Sequence, residues 1–350
     1  MEPTEAGLNW SDAVTAPNGE GREPYTVAML LVPGFSLMAL ASLVEPLRAA
    51  NRVLNRRAYE WVMVAERLGA VSSGAGLDVA APVDLKSAPA TDLTVVVASL
   101  GVEGFHRPKV FDWLRHRRRG GRLLAGVSCG PLLLAQAGLL HGRRATVHWE
   151  SQDDMKQRFP GVEVVDALFC VDGDVATAAG GTSSMDMMLA IIAARDGPEV
   201  ANDVSDLFLR GPVREAQEMQ RQGIAWRHGV VDQRLVEAIK LMETHLAVPR
   251  LIVEVAAAVS LSERQLLRLF ELELGESPSA FYLRLRLKAA RQRVLHSAES
   301  FESIAVATGF SSPGHFSRAF RKRFGQTPSA QRQASRTAGR IHASVAECQG

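Results

Sequence analysis

A corner of small residues between two apolar runs is the stretch of this sequence most suggestive of chemistry. Residues 125–140 read AGVSCGPLLLAQAGLL, with Ser128 and Cys129 at the corner. A cysteine on a sharp strand-to-helix turn carries its thiol at a helix N-terminus, which lowers the thiol pKa and favours the nucleophilic thiolate. The corner therefore suggests covalent catalysis by Cys129, and a turn without a catalytic role is the alternative.

The elements around this corner belong to an alternation of strand-like and helix-like runs over the first 210 residues. Several strand candidates are continuous Val, Leu and Ala runs, as expected for strands buried on both faces of a parallel sheet. The predicted strands cover residues 25–33, 59–66, 92–99, 121–128 and 162–171. The predicted helices cover about 37–53, 108–118, 131–140, 183–195 and 198–210. This rhythm predicts an α/β layered domain.

Length and composition describe an ordinary globular protein with room for two cores. The chain has 350 residues, of which 47% are hydrophobic and 22% are charged. Its three cysteines (129, 170 and 348) are few and odd in number, which fits a reducing, cytoplasmic compartment without a disulfide framework. Residues 123–140 carry no charge, but Gly, Ser, Cys, Pro and Gln interrupt them, so a membrane span is not predicted.

Charge divides the chain into two parts of opposite sign. From Arg250 onward the chain has 15 Lys and Arg against 8 Asp and Glu, a net charge of +7. Residues 1–249 have 25 Lys and Arg against 30 Asp and Glu, a net charge of −5. A basic end suggests contact with nucleic acid, and a solvated basic face is the alternative. The predicted organisation is a disordered tail (1–24), an α/β domain (25–210), a linker (211–231), an all-α domain (232–331) and a flexible tail (332–350).

An internal repeat is the strongest pattern in the basic part. Residues 254–280 and 303–330 each read as a short apolar helix, a tight turn and a longer basic helix, which is the helix-turn-helix layout. The two copies align at an offset of 50 residues that drops to 49 upstream of the turn, so the second turn carries one inserted residue. The pairs that define the offset are Ser262 with Ser312, Arg268 with Arg318, Phe270 with Phe320 and Gly275 with Gly325.

Helix-capping residues fix the register of both longer helices. Ser262 with Gln265 three residues later forms a capping box, and Ser312 followed by Pro313 places a cap before a proline at the first helical position. This register predicts which side chains face the core. They are Leu266, Leu269, Phe270, Phe316, Ala319 and Phe320.

The same register brings basic side chains to one outer face in each copy. Arg264 and Arg268 lie four residues apart, and Gly314, Arg318 and Lys322 share the corresponding face of the second copy. Such a face suits insertion into the DNA major groove, where arginine bonds guanine bidentately. A helical bundle with a solvated basic surface is the alternative.

Between the copies, residues 279–298 form a long amphipathic helix predicted to space the two motifs and to contact phosphates. Its basic residues are Arg284, Arg286, Lys288, Arg291 and Arg293. Three features of residues 232–331 stand out: the stretch YLRLRLKAAR, the closing F-G-x-T-P-S, and Ala, Ser, Arg and Phe at matching places in both copies. With these features the segment resembles the AraC/XylS family of transcription regulators. The resemblance implies that Arg264, Gln265 and Arg268 read one major groove. It likewise implies that Gly314, His315 and Arg318 meet the next groove.

The first domain resembles the PfpI-like branch of the class I glutamine-amidotransferase fold. The resemblance rests on residues 33–51, 125–150 and 177–189, and the joined domains resemble the GlxA-type subfamily of AraC regulators. It implies a flavodoxin-like, class I amidotransferase-like parallel sheet, followed by an all-α domain with two helix-turn-helix motifs.

Enzymes of that fold carry a catalytic cysteine at the strand-to-helix turn, which we call the elbow, and pair it with a downstream histidine and a nearby acid. Their elbow pattern places the nucleophile at Ser128, so that Cys129 comes one position late. His148 matches the family's histidine, but the acid's position falls near Ala39. The resemblance therefore implies a degenerate elbow without catalysis, retained as a pocket for a small molecule.

The resemblance further implies a small nitrogenous effector, an amino acid or a quaternary amine such as arginine, glycine betaine or carnitine. The predicted ligand contacts are Phe35, Ser36, Glu45, Ser128, Cys129, His148, Trp149 and Thr182. Trp149 offers either a cation–π wall or a core side chain. Glu45, Arg48 and Asn51 share a helical face, which is a ligand contact, a dimer surface or a solvated polar face.

The sequence thus predicts a cytoplasmic bacterial transcription regulator, an activator, whose first domain senses a metabolite. Its predicted partners are double-stranded DNA, the effector, RNA polymerase and a second copy of the chain. No membrane contact, cofactor or metal is predicted. The alternative is a cysteine-dependent amidase or carbonyl-processing enzyme with an accessory DNA-binding domain, and an architectural DNA binder without a pocket is a third hypothesis.

Overall fold

The chain folds into two units that divide between Gln220 and Arg221. The computed structural model describes residues 23–119, 122–210, 213–220, 223–297 and 299–334. Most of the predicted N-terminal tail, residues 335–350 of the C-terminal tail and Cys348 lie outside the described residues. Within the described ranges, no helix is long and apolar enough to cross a bilayer.

The first unit is built on a seven-stranded sheet. The order of its strands is β10-β11-β7-β6-β1-β2-β5, and every neighbouring pair is parallel except β10 with β11. The strands of this sheet are β1 (Tyr25–Leu31), β2 (Tyr59–Ala65), β5 (Val83–Asp84), β6 (Leu93–Val97), β7 (Leu123–Val127), β10 (Phe169–Asp172) and β11 (Val175–Ala178). Two small two-stranded sheets accompany it, β3 (Gly69–Ser72) with β4 (Asp78–Ala81) and β8 (Arg144–Ala145) with β9 (Glu163–Val164).

Helices cover both faces of the sheet and create two cores. The helices of the first unit are α1 (Leu37–Val53), α2 (Pro108–Arg119), α3 (Gly130–Gln136), α4 (Gln152–Arg158), α5 (Ser183–Asp196) and α6 (Pro198–Leu207). Helices α1, α5 and α6 pack on one face of the sheet, and α2 and α3 pack on the other. β6 and β7 are buried along their whole length, which explains the continuous apolar runs in the sequence.

The predicted α/β fold is confirmed, and the part of the sheet beyond β7 differs from the prediction. Residues 162–171 do not form one strand, because Val165 and Leu168 bond to partners outside the main sheet, Ala145 and the 216–218 segment. The chain forms the short β9 and the later β10 instead, and β10 turns back antiparallel to β11. β11 was missed because four residues, Val-Ala-Thr-Ala, carry no periodicity of their own.

The second unit is entirely helical in its described residues. Its helices are α7 (Ile224–His228), α8 (Gln233–Thr244), α9 (Ile252–Ala258), α10 (Glu263–Leu274), α11 (Pro278–His296), α12 (Phe301–Ala307) and α13 (Pro313–Phe324). The long helix α11 belongs to two cores. Phe281, Tyr282 and Leu285 pack with α8 to α10, whereas Ala290 and Val294 pack with α12 and α13.

The segment 211–231, predicted as a linker, is shared between the units. Residues 213–220 bond to the first unit, where Leu168 N donates to the carbonyls of Ala216 and Glu218 at 3.0 Å. Residues 224–228 form α7 of the second unit, and Arg227 there forms an ion pair with Glu243 at 2.9 Å. Polar composition alone does not distinguish a linker from a polar segment that is held by hydrogen bonds. The predicted linker, 211–231, therefore includes residues that belong to the two folded units.

Candidate DNA-binding surface and ligand site

The first helix-turn-helix motif consists of α9, its turn and α10. Ser262 caps α10, and its Oγ accepts a hydrogen bond from Gln265 N at 3.3 Å. Leu266 and Phe270 are fully buried, while Arg264 and Arg268 are exposed on the opposite face. Capping and burial thus orient the two arginines outward, as the register predicted.

Gln265 serves as a cap in this motif. Its Oε1 accepts hydrogen bonds from Ser262 N at 2.8 Å and from Ser262 Oγ at 2.9 Å, which completes the capping box. The amide oxygen of Gln265 is therefore engaged in the cap, and the predicted base-reading role of this exposed residue stays a prediction that falls to its Nε2 donors.

The outer face of α10 holds further side chains that the sequence prediction omitted. Glu263, Leu267 and Glu271 lie beside the two arginines and line one shallow groove with them. Leu267 is 38% exposed, although its neighbour Leu266 is fully buried. The spacing of three and four residues from Arg264 identifies both Leu267 and Arg268, so periodicity alone was sufficient to find this leucine.

The second motif consists of α12, its turn and α13. Ser312 Oγ accepts a hydrogen bond from His315 N at 3.2 Å, and Pro313 starts the helix. The His315 ring packs edge-on against Phe310 with the centroids 5.5 Å apart. His315 therefore presents only part of its ring outward.

The outer face of α13 carries the remaining predicted DNA contacts. Gly314, Arg318 and Lys322 are all exposed. Arg318 Nη1 lies 3.8 Å from the position that a β-carbon on Gly314 would occupy, which is ordinary van der Waals distance. The second motif thus presents two cations and one partly packed histidine.

Three of the five basic residues on α11 that were predicted to contact phosphates have partners within the second unit. Arg284 forms an ion pair with Glu276 at 2.6 Å, and Arg293 forms one with Glu299 at 3.0 Å. Arg286 donates to the carbonyls of Thr308 and Gly309 in the second motif's turn and lies over the Phe310 ring. Since burial lowers the pKa of Arg286, these bonds compensate a desolvated cation.

We expect Arg286→Ala to destabilise the second unit without changing its phosphate contacts. The substitution leaves the Thr308 and Gly309 carbonyls without their donor, which costs about 1–3 kcal/mol per unsatisfied buried group. The measurement is the slope of log binding constant against log salt concentration for DNA. An unchanged slope with a lowered melting temperature is expected, whereas a slope reduced by about one would indicate a phosphate contact.

In the first unit, Ser128 occupies a strained position at the end of β7. Its φ of 58° lies in the left-handed region, which costs a residue other than glycine about 1–2 kcal/mol. Its backbone N donates to Ala178 O at 3.0 Å, and its carbonyl accepts from His148 N at 3.1 Å. Ser128 is 4% exposed.

A glycine beside the elbow allows a close approach. A β-carbon on Gly180 would lie 2.6 Å from Ser128 Cβ, and Gly180 has a φ of 95°. The loop between β11 and α5 therefore fits against the elbow only with glycine at this position. Ser128, the Gly180 loop and the chain at His148 meet at the carboxyl end of the sheet, where ligands of open α/β sheets bind.

Cys129 and Phe35 do not reach this place. Both are completely buried, Cys129 in the core beneath α3 and Phe35 in the core on the opposite face. Cys129 Sγ lies 3.4 Å from Ser151 Oγ. Both residues were predicted as ligand contacts, and the structure places both in the cores. For Cys129 the reason is that the chain turns at Ser128 and sends the next side chain away from the elbow.

Other predicted contacts have structural partners. Ser36 caps α1 through Ala39 N at 3.2 Å. Glu45 forms an exposed ion pair with Arg48 at 2.6 Å, and Asn51 bonds both the N and the O of Tyr59 at 2.8 Å. These bonds give Ser36 and Asn51 structural roles in α1, while the exposed pair of Glu45 and Arg48 stays predicted as a ligand contact, a dimer surface or a solvated polar face.

His148, Trp149 and Thr182 lie around the elbow. His148 is half-buried, with its ring 5.6 Å from the Trp149 ring and its Nδ1 accepting from Glu150 N at 3.4 Å. Thr182 is exposed at the start of α5, and its Oγ1 accepts from Arg214 Nη2 at 2.8 Å. Arg214 was not predicted as part of this region, since no sequence pattern connects it to Thr182.

A parallel α/β unit with a glycine-lined elbow and a helical unit with two helix-turn-helix motifs together define a DNA-binding transcription regulator. Comparisons with known proteins agree. Residues 26–194 match the model of the DJ-1/PfpI family, and residues 255–334 match that of a helix-turn-helix domain. The chain belongs to the AraC/XylS family of transcription regulators, in the GlxA-type subfamily that joins these two domains.

Two similar regulators cover almost the whole chain, and a similar solved structure covers about half of it. The HTH-type transcriptional regulator CdhR of Pseudomonas aeruginosa is 42% identical over 87% of this chain and 90% of its own length. The HTH-type transcriptional regulator GlxA of Rhizobium meliloti is 38% identical over 91% and 99%. The crystal structure of an AraC family transcriptional regulator from Pseudomonas putida covers 53% of this chain and all of its own, with a TM-score of 0.50 at 25% identity.

Proposed function

We propose that the first unit senses a small nitrogenous metabolite at the elbow and thereby controls how the second unit binds DNA. The proposed ligand contacts are Ser128, His148, Trp149 and Thr182. One observation carries the proposal: Ser128, only 4% exposed, is held at a φ of 58° where the loop at Gly180 and the chain at His148 both approach it. Backbone strain of this kind persists at functional sites, because the surrounding structure must hold it in place.

The chemistry of these side chains fits a ligand with both a cationic and a polar end. The Trp149 ring offers a cation–π surface to a quaternary or guanidinium nitrogen. The Ser128 hydroxyl and the His148 ring offer hydrogen bonds to a carboxylate or amide. Glycine betaine, carnitine and arginine share this combination, so they are the first compounds for a thermal-shift screen of the full chain.

We expect Ser128→Gly to weaken effector binding without destabilising the chain. Glycine relieves the left-handed strain, and its greater unfolded-state entropy offsets part of the gain, so the melting temperature should not fall. The removed hydroxyl should lower effector affinity by about fivefold or more, as loss of a hydrogen bond of about 1 kcal/mol implies. The measurements are calorimetric titration with the effector from the screen and thermal melting.

Ser260→Gly is the matched control for this substitution. Ser260 also has a φ of 58°, but it is exposed in the turn of the first helix-turn-helix motif. Its replacement relieves the same strain in the second unit, at a residue that is not a proposed ligand contact, so effector affinity should not change. Equal effects of the two substitutions on effector affinity would remove Ser128 from the ligand site.

A cysteine-dependent enzyme is the competing function, and it requires a reactive Cys129. Because Cys129 is fully buried, we expect no alkylation by iodoacetamide in the native chain at neutral pH, although the denatured chain is alkylated. Peptide mass spectrometry measures both. Rapid native labelling of Cys129, with loss of effector response in Cys129→Ala, would favour the enzyme.

For DNA, we propose that Arg264 and Arg268 of α10 read one major groove and that His315, Arg318 and Lys322 of α13 contact the next. Leu267, exposed between the two arginines, supplies an apolar contact of the kind that thymine methyl groups accept. Two motifs on one chain suit successive grooves on one DNA face, about 34 Å apart. Activation through RNA polymerase, dimer formation and a cytoplasmic location stay predictions.

A further inference from the structure

The last residues of the first unit, 213–220, are bonded at three separate places around the elbow. We call them the latch segment. At its start, Arg214 Nη2 donates to Thr182 Oγ1 at 2.8 Å and to Asp186 Oδ2 at 2.7 Å. Asp186 is completely buried, and Arg210 forms an ion pair with its other oxygen. One buried carboxylate thus holds two guanidinium groups near the first turn of α5.

The middle of the latch segment is bonded through the backbone. Leu168 N donates to both Ala216 O and Glu218 O at 3.0 Å. The carbonyl of Leu168 accepts from Ala179 N at 2.8 Å, and Gly180, which packs against Ser128, follows directly. A single residue, Leu168, therefore connects the latch segment to the glycine loop of the elbow.

The end of the latch segment is bonded through a side chain. Gln220 Nε2 donates to Thr146 Oγ1 and to Val147 O, both at 2.9 Å. Val147 precedes His148, whose backbone N donates to Ser128 O at 3.1 Å. Gln220 is the last residue of the first unit, so this amide is the final contact before the DNA-binding unit begins.

The three attachments share two properties. Each reaches Thr182, the residues directly before His148, or Leu168, which bonds Ala179 next to Gly180. Each is also made by polar groups, since only Val213 and Ala216 of the latch segment pack against the core, and both are partly exposed. Segments with few buried apolar contacts open at a lower free-energy cost than core elements do, and here the release of Arg214 from the buried Asp186 adds to that cost.

We propose that the latch segment is a switch that sets the length of the tether between the two units according to whether the elbow is occupied. The proposal rests on the proposed function, in which a ligand binds at Ser128. A ligand that moves the chain at His148 or the loop at Gly180 changes the bonding partners of Gln220 and Leu168. The latch segment then detaches, and the DNA-binding unit gains freedom.

The number of residues in the tether sets how far apart the two units can move. With the latch segment attached, three residues separate Gln220 from Ile224, the first residue of α7, and they span at most about 11 Å. With the segment detached, the eleven residues 213–223 form the tether, and they span at most about 40 Å. Release thus increases the volume accessible to the DNA-binding unit without changing any residue that contacts DNA.

Gln220→Ala tests the switch without any ligand, because it removes the last attachment directly. The full chain is used with a DNA duplex selected from a random library by the wild-type protein. We expect faster hydrogen exchange at the Leu168 amide, by about tenfold, and ligand-free DNA affinity raised at least about fivefold, the lower end of ordinary allosteric couplings. Gln220→Glu places a carboxylate against the Val147 carbonyl and should give the same changes.

Gln217→Ala is the matched control, since Gln217 is an exposed glutamine of the same segment with no hydrogen bond in the described part of the chain. It should leave both exchange and DNA affinity at the wild-type values. Unchanged or lowered DNA affinity in both Gln220 variants, with faster exchange at Leu168, overturns the switch. Unchanged exchange overturns the attachment itself.

The two proposals fail in different ways. If Gln220→Ala raises DNA affinity but no compound of the screen stabilises the wild-type chain, the switch holds and the proposed effector class is wrong. If an effector binds and alters DNA affinity equally in the wild type and in Gln220→Ala, the ligand site holds and the switch is wrong.

Discussion

Arg268→Ala is expected to weaken binding of the full chain to its selected DNA duplex by about 1–3 kcal/mol, or roughly 5- to 150-fold. Arg268 is exposed beside Arg264 on the outer face of α10, and the buried Leu266 and Phe270 fix the orientation of that face. If Arg268 bonds a guanine, its loss also relaxes the preference for that base pair. Fluorescence anisotropy on the selected duplex and on single-base variants measures both effects.

Arg234→Ala is the control for this prediction. Arg234 is an exposed arginine on α8, paired with Asp232 at 2.6 Å, and it lies outside both helix-turn-helix motifs. Its replacement should leave DNA affinity within about twofold, because exposed ion pairs contribute little. A loss in Arg268→Ala that is equal for every DNA sequence would assign Arg268 to a phosphate, and no loss would remove it from the interface.

Gly309→Ala is expected to lower the stability of the second unit by at least about 2 kcal/mol. Gly309 has a φ of 71°, and a β-carbon there would lie 2.5 Å from both Leu246 O and Pro249 Cγ. Left-handed strain and overlap with the backbone therefore add together. Hydrogen exchange of amides in α11 to α13 measures this unit by itself, and DNA affinity should fall with it, because the turn positions α13.

The corresponding position in the first motif gives the opposite expectation. Ser260 aligns with Gly309 and also has a positive φ, of 58°, but it is exposed. Ser260→Gly should leave the stability unchanged or raise it by up to about 1 kcal/mol. If Gly309→Ala were as stable as the wild type, the close contact between the second turn and the Leu246–Pro249 segment would be wrong.

The sequence contained most of the information needed for the fold. Continuous apolar runs predicted the parallel strands, and the repeat with its capping residues predicted both helix-turn-helix motifs to within a few residues. These signals are local or periodic, so one chain shows them directly. β11 was not predicted as a strand, because it is short, and the predicted strand 162–171 did not separate β9 from the antiparallel β10.

The site was predictable in position but not in detail. The family resemblance identified Ser128 as the elbow position, and its positive φ agrees with that assignment. The outward or inward direction of Cys129 and Phe35 was not predictable, because a strained turn breaks the alternation that assigns side chains to faces. The cap role of Gln265 was visible in the sequence, yet its competition with base reading appears only when both bonds to Ser262 are seen.

The contacts of the arginines show a further limit. Charge counts predicted a basic DNA-binding unit correctly, but they do not separate Arg268, which is exposed, from Arg286, which bonds the Thr308 and Gly309 carbonyls. Likewise, Arg214 and Gln220 attach a polar segment to the elbow through residues 28 or more positions away. Such long-range polar bonds have no periodic signature.

The most direct test of the whole account is the DNA affinity of the full chain with and without the effector found by the screen, measured for the wild type and for Ser128→Gly. Ligand control through the elbow predicts a change of at least about fivefold in the wild type. At an effector concentration that saturates only the wild type, it predicts little or no change in Ser128→Gly. An equal effector response in both proteins, or an effector that binds the wild type without altering its DNA affinity, would contradict it.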